Sequence, residues 1–120
     1  MNVTAHVMTL TTDGDGAATV YSDKQANGNV LAVIFDVGTL TTPNLTVTGK
    51  ETGIAILTKE AMGSGTYHPC GMAQSTELAD LTFDDTNKVP VPIPLANEQI
   101  KVVVASGGAT KTGTLTILVG

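Results

Sequence analysis

The stretch Val30-Leu31-Ala32-Val33-Ile34-Phe35-Asp36 is the most apolar continuous run in the chain, and the interpretation of the fold starts from it. Its odd-numbered and even-numbered positions are both apolar, which is typical of a strand that protein covers on both faces. A buried helix is the competing interpretation. The run is short for a helix, however, and Gly28-Asn29 and Gly38 flank it with turn signals. We therefore predict a central β-strand.

Segments on both sides of this run also have strand patterns. Asn44-Leu45-Thr46-Val47-Thr48 alternates cleanly between polar and apolar residues, residues 3–10 alternate loosely, and Leu81-Thr82-Phe83 resembles a short strand. About eight such segments are separated by short turns, a spacing expected of all-β domains. We predict a single-domain antiparallel β-sandwich, or a Greek-key or jelly-roll-like barrel, over residues 1–120. Residues 1–10 form either an N-terminal arm or the first strand.

The last third of the chain has the pattern of a β-hairpin. Residues 99–105 and 112–119 are both strand-like, and Gly107-Gly108 lies in the segment between them. Glycine pairs of this kind supply the backbone geometry of tight turns. We predict that the two strands pair with each other in antiparallel orientation.

Proline alternates with branched apolar residues in Val89-Pro90-Val91-Pro92-Ile93-Pro94-Leu95. Proline has no backbone N–H, so prolines at every second position leave one side of the segment without donors. Such a segment bonds to a neighbouring strand along its other side only. We predict an edge strand or an extended arm.

The composition excludes several classes of function. Six lysines and no arginine stand against eleven acidic residues, and the net charge of −5 argues against binding to nucleic-acid backbones. Two tyrosines, two phenylalanines and no tryptophan leave little surface for stacking on sugars or bases. No run approaches the roughly 18 apolar residues of a membrane span, and the start lacks a signal-peptide pattern. We expect no nucleic-acid or membrane partner, and synthesis in a cytoplasm.

The residues that could carry chemistry form no complete site. Residues 63–71 are predicted to be a loop that contains His68 and Cys70; this pair suits a redox or weak metal feature, but a buried thiol near a loop histidine is the favoured interpretation. His6 is isolated in sequence. Asp13-Gly14-Asp15-Gly16 resembles the start of a calcium loop but lacks the downstream glutamate, so a turn is favoured. Asp84-Asp85 is interpreted as a charged strand end. We predict no catalytic residue, no cofactor and no metal site.

Several stretches together resemble a group of small proteins encoded among the structural genes of tailed bacteriophages. The stretches are Leu10-Thr11-Thr12-Asp13-Gly14-Asp15-Gly16-Ala17-Ala18-Thr19-Val20-Tyr21, residues 28–36, Leu45-Thr46-Val47-Thr48-Gly49, residues 100–108 and Lys111-Thr112-Gly113-Thr114. The likeness covers nearly the whole chain. Where members of the group tend to have Tyr-Pro-Arg in the middle loop, this chain has Tyr67-His68-Pro69-Cys70.

The resemblance implies a structural role in the virion and no enzymatic activity. We expect a capsid decoration or cement protein on the outside of the major capsid lattice, with the major capsid protein and copies of itself, as a homotrimer, for partners. A head-tail connector or tail accessory protein and a host-surface or glycan-binding module are the alternatives. The residues expected to contact a partner are Val89, Pro90, Val91, Pro92, Ile93, Pro94, Tyr67 and His68.

Overall fold

A computed structural model describes residues 3–72, 74, 77, 79, 80 and 90–120. These residues form strands and turns, with no helix among them. The predicted strand Leu81-Thr82-Phe83 and the Asp84-Asp85 pair lie outside the described residues. Eleven strands follow one another: β1 (Thr4–Thr11), β2 (Ala18–Tyr21), β3 (Ala26–Asp36), β4 (Asn44–Gly49), β5 (Ala55–Lys59), β6 (Gly65–Tyr67), β7 (Gly71–Met72), β8 (Pro90–Val91), β9 (Ile93–Glu98), β10 (Ile100–Ala105) and β11 (Thr112–Val119).

The strands form two antiparallel sheets that pack face to face, so the predicted all-β sandwich is confirmed. The first sheet has the order β1-β11-β3-β6, and β9 also pairs with β3. The second sheet has the order β2-β10-β4-β5, and β7 and β8 form a separate two-stranded ribbon. The described strands exceed the expected eight because the proline-rich segment is divided into β8 and β9, and because the short strands β6 and β7 lie in or beside the segment predicted to be a loop.

Alternate residues of both sheets point into one apolar core. In β11 the buried residues are Leu115, Ile117 and Val119, and in β10 they are Ile100, Val102 and Val104. Period-two alternation of this kind places one face of each strand against the opposite sheet. Each buried aliphatic side chain contributes about 1.5–3 kcal/mol relative to an exposed one. The core therefore fixes which face of each strand points inward.

A β-bulge in β3 explains why its apolar run looks two-sided. The pairing with β11 shifts between Ala32↔Leu118 and Val30↔Val119, which leaves Leu31 as an extra residue. A bulge shifts the side-chain alternation by one position, so Val30 faces the core before it, and Val33 and Phe35 after it. The expectation that protein covers both faces of this strand is wrong at Leu31 and Ile34, which are 39% and 40% exposed, although Ala32, on the same face as Ile34, is buried.

The predicted hairpin between the last two strands is also wrong. β10 pairs with β2 and β4, whereas β11 pairs with β1 and β3, so the two strands lie in opposite sheets. The connection crosses between the sheets and is fixed by hydrogen bonds to other loops. Gly107 N donates to Gly16 O over 3.0 Å, and Thr110 N donates to Asp13 O over 3.0 Å.

The proline-rich segment lies at a sheet edge, as its pattern predicts. β9 pairs with β3 and with no other described strand, and β8 pairs with β7. The pairing of β9 with β3 shifts beside Asn97, which has a positive φ of 51°. This bulge rotates the end of β9 so that Glu98 faces inward with Ile93 and Leu95.

Candidate functional site

Two short strands share one edge of β3 and leave a gap between them. β6 ends at Tyr67, which pairs with Val33, and β9 begins at Ile93, which pairs with Val30. Both strands lie on the side of β3 opposite β11, because Val30 and Val33, which pair with β9 and β6, also pair with β11. The bulged residue Leu31 lies at the gap. At Leu31, the edge of β3 therefore has no described strand partner, and the alternation of the side chains of β3 changes at the same position.

A groove of about 370 Å³ lies at this gap. Its described lining is mainly apolar and contains no lysine, arginine or acidic side chain. Three prolines stiffen its walls, because the pyrrolidine ring fixes φ. The lining residues are Asn29, Val30, Leu31, His68, Pro69, Cys70, Pro90, Val91, Pro92 and Gly120.

The structure brings the two segments with expected partner contacts to this groove. His68, from the middle loop, and Pro90, Val91 and Pro92, from the proline-rich segment, line it together. The other described members lie beside it: Tyr67 is half-buried, Ile93 is buried in the core, and Pro94 is exposed and pairs with Asn29. Val89 lies outside the described residues.

The groove also contains the free thiol. Cys70 is exposed, so the expectation of a buried thiol is wrong. Pro69 lies between His68 and Cys70, and all three residues line the groove. A thiol and an imidazole alone lack the orienting group that activates a nucleophile. Within the described part of the chain, no three His, Cys, Asp or Glu residues gather in a cluster suited to a metal ion.

The Asp13-Gly14-Asp15-Gly16 segment forms a turn held by its own first carboxylate. Asp13 Oδ1 accepts hydrogen bonds from Asp15 N at 2.8 Å and from Ala17 N at 3.1 Å. These bonds, first that from Ala17, lower the pKa of Asp13 because amide donors favour the charged carboxylate. The carboxylate of Asp13 therefore stabilises the turn, in agreement with the interpretation of this segment as a turn.

Glu98 is a buried carboxylate that sequence reasoning did not single out. It is 1% exposed, and its Oε1 accepts hydrogen bonds from Glu51 N and Thr52 N, both at 3.0 Å. The Thr52 hydroxyl donates to both carboxylate oxygens, and Ala96 N donates to Oε2 at 3.3 Å. The hydrogen bond from Thr52 N is the main reason that the pKa of Glu98 lies below its usual value. Glu98 thus holds the β4–β5 turn against β9.

A second hollow lies beside the start of β1, where Thr4, Ala5, His6 and Val7 face Asp23 and Lys24. His6 is buried and points inward from β1. Burial, and secondarily the positive charge of Lys24, lower the pKa of the imidazole because both disfavour its protonated form. The folded chain therefore disfavours protonation of His6.

The sequence did not predict the part of the groove that β3 forms, because this part depends on how β3 pairs with its neighbouring strands. Leu31 belongs to a run that looks like an uninterrupted strand, and no local signal marks the bulge. The interpretation of Gly28-Asn29 as a turn signal is wrong, because both residues lie within β3.

The chain matches no protein-family model and no curated protein. No helix capable of crossing a membrane occurs among the residues that the structure describes.

Proposed function

We propose that this chain is a structural protein of a bacteriophage particle that attaches to the outside of the major capsid lattice and stabilises it. The proposal starts from the resemblance of its sequence to small virion proteins. The observation that carries it further is the apolar groove, in which His68 meets the segment from Pro90 to Pro92. No enzymatic activity is assigned.

The groove suits attachment to another protein. The described lining residues are mainly apolar and uncharged, so they lose little solvation when a partner covers them, whereas burial of an unpaired charge is costly. The prolines fix the groove before binding, so less conformational entropy is lost on association. One groove of this size gives a weak contact. Many copies on a repeating lattice add contacts across capsomer boundaries, so a shell gains stability from contacts that are individually weak.

The cysteine content of the chain is compatible with a virion protein that is made in a host cytoplasm. Cys70 is its single cysteine, so the folded domain depends on packing and not on an intrachain disulfide. Self-association is part of the proposal. The resemblance implies a homotrimer, and the mass of the protein in solution tests this number of copies.

The number of copies per virion tests the proposal. Quantitative mass spectrometry of purified particles would compare this chain with the major capsid protein. A decoration protein is expected at one copy per one or few capsid subunits. A few copies per hundred capsid subunits would contradict lattice decoration and favour the connector or tail alternative. Absence from particles would overturn the virion assignment and reopen the glycan-binding alternative.

A matched pair of variants tests the groove itself. Leu31→Lys places a charge in the groove, whereas Ile34→Lys places the same charge on the same strand outside it, at nearly equal exposure. Capsids that lack the protein would be incubated with each variant, and the bound fraction measured after sedimentation. Leu31→Lys is expected to lower occupancy by about tenfold or more. Equal occupancy of the two variants would show that the groove is not the attachment surface.

A further inference from the structure

β1 forms one edge of the first sheet, and one side of its backbone is free of strand partners. β11 is the only described strand that pairs with β1. The pairing of these strands continues one residue beyond Thr11↔Thr112, because Thr12 N donates to Lys111 O at 2.9 Å. Thr12 and Lys111 therefore form a hydrogen-bonded pair. Such pairs alternate along an antiparallel ladder. The even-numbered residues of β1 therefore bond to β11, and Ala5, Val7, Thr9 and Thr11 direct their N–H and C=O groups away from it.

We call this outward side the β1 edge. All four of its residues are exposed, and Val7 is 59% exposed. The register from Thr4↔Val119 to Thr11↔Thr112 runs without a shift. Within the described part of the chain, the β1 edge is thus a regular row of unpaired donors and acceptors that a further strand can reach.

The β1 edge lacks the features that keep sheet edges from pairing. Edge strands are usually blocked by a charge, a proline, a bulge or a short length. β1 has eight residues and no charged residue, proline or bulge. The other described edges are blocked: β9 by Pro94 and a register shift, β5 by Lys59 and a register shift, β6 by its three residues and β2 by its four.

Charge distribution favours a second copy of this chain as the occupant. The chain carries a net charge of −5, so two copies repel each other over most of their surfaces. In β1, β11 and β3, however, Asp36 is the one acidic residue and there is no lysine. Asp23 and Lys24 lie beside the start of β1 and add one charge of each sign, so two acidic copies meet with little net repulsion on this side. Blocking of the other edges also disfavours pairing of β1 with a different edge of a neighbouring copy.

We propose that β1 pairs in antiparallel orientation with β1 of a second copy, which joins the two first sheets into one. A two-fold axis makes this contact self-complementary, because each outward donor of one copy meets an acceptor of the other. The register that places Val7 opposite Val7 of the second copy pairs Ala5 with Thr9. It also brings two exposed valine side chains together, and cross-strand apolar pairs of this kind stabilise sheets. The contact closes on two copies.

The mass of the full chain in solution tests this pairing. Sedimentation equilibrium is expected to give twice the chain mass of 12.3 kDa. Val7→Lys would bring two ammonium groups together and is expected to raise the dissociation constant by about tenfold or more. Ile34→Lys is the matched control, because Ile34 lies in the same cross-strand row as Val7, separated from it by Thr116, but away from the edge. It is expected to leave the dimer intact.

Any other number of chains, or an equal response of the two variants, would contradict the pairing of β1 with β1. Far-ultraviolet circular dichroism would first show that both variants keep the β fold. A dimer that both substitutions dissociate equally would indicate packing of sheet faces instead of edges. A mass of three chains would support the trimer expected from the resemblance, and a monomer at all concentrations would leave the β1 edge without this occupant.

Discussion

The carboxylate of Glu98 lies directly against the backbone of Gly49. A Cβ atom added at Gly49 would overlap Oε1 of Glu98, and it would lie 2.7 Å from the carboxyl carbon of Glu98 and 2.9 Å from Oγ1 of Thr52. Gly49 ends β4, and its N–H donates to Ile54 O across the turn. The turn, the buried carboxylate and the glycine therefore form one unit, in which the missing side chain makes room for the hydrogen-bond acceptor.

Gly49→Ala is expected to destabilise the fold by about 1–3 kcal/mol, the usual cost of overpacking a closely packed site. The carboxylate has to move, and its bonds to Glu51 N and Thr52 N lengthen. Urea unfolding at neutral pH measures the change. Gly63→Ala is the matched control, because nothing lies within 4 Å of its added Cβ. Equal effects of the two substitutions would contradict the tight contact at Gly49.

Glu98→Gln is expected to weaken the dependence of stability on acid. Because the folded pKa of Glu98 lies below the usual 4.5, the unfolded chain takes up the proton first as the pH falls. The stabilisation is present above about pH 4.5 and is lost as the pH falls through the folded pKa. Thermal unfolding between pH 7 and pH 3 should show a lower Tm at pH 7 and a shallower acid decline for the variant. Glu51→Gln, which changes an exposed side chain on the same turn, is the control; an equally shallow decline for this variant would contradict the assignment to Glu98.

His6 adds a pH dependence in a higher range. Its folded pKa lies below the usual 6.5, so the unfolded chain binds more protons as the pH falls through this region. Stability therefore declines below about pH 6.5 and levels off below the folded pKa. Replacement by glutamine should flatten the urea midpoint over this range, although the packing around position 6 also changes. His68→Gln, at an exposed position, is the control; a flattening there as well would contradict the assignment to His6.

Two neighbouring apolar residues of β3 test the bulge. Val33 is fully buried, whereas Leu31 is 39% exposed, although a strand without the bulge would place them on one face. Val33→Ala is expected to cost about 2 kcal/mol, and Leu31→Ala less than about 1 kcal/mol. Chemical denaturation of the two variants measures both changes. Similar losses would indicate that Leu31 packs in the core.

Local patterns predicted the strands of this protein better than the partners of those strands. The alternation of Leu45 and Val47, and of Leu115, Ile117 and Val119, identifies strands with one buried face, and the structure has these residues buried. The same alternation suits a hairpin and a crossing between sheets equally well. The choice for β10 and β11 depends on contacts of the Gly107 connection with loops near Gly16 and Thr41, which are distant in sequence.

The residues of the candidate groove were predictable from the sequence to about the same extent as the fold. The spacing of Pro90, Pro92 and Pro94 indicates an edge, because it removes donors from one side of the segment. Leu31 and Glu98 were not predictable, since each depends on a register shift. Leu31 is the extra residue opposite β11, and Glu98 turns inward after the irregularity beside Asn97. Bulges of this kind depend on which strands pair, and neighbouring residues give little indication of that.

The position of β11 determines when this sheet is completed. β11 lies between β1 and β3, yet it follows every other described strand in the chain. During synthesis, a ribosome releases β1 and β3 long before the strand that joins them has left the exit tunnel. Sheets built from such distant segments fold slowly, and their unpaired strands are prone to aggregation in the meantime. The sides of β1 and β3 that bond to β11 therefore stay unpaired until residues 112–119 emerge.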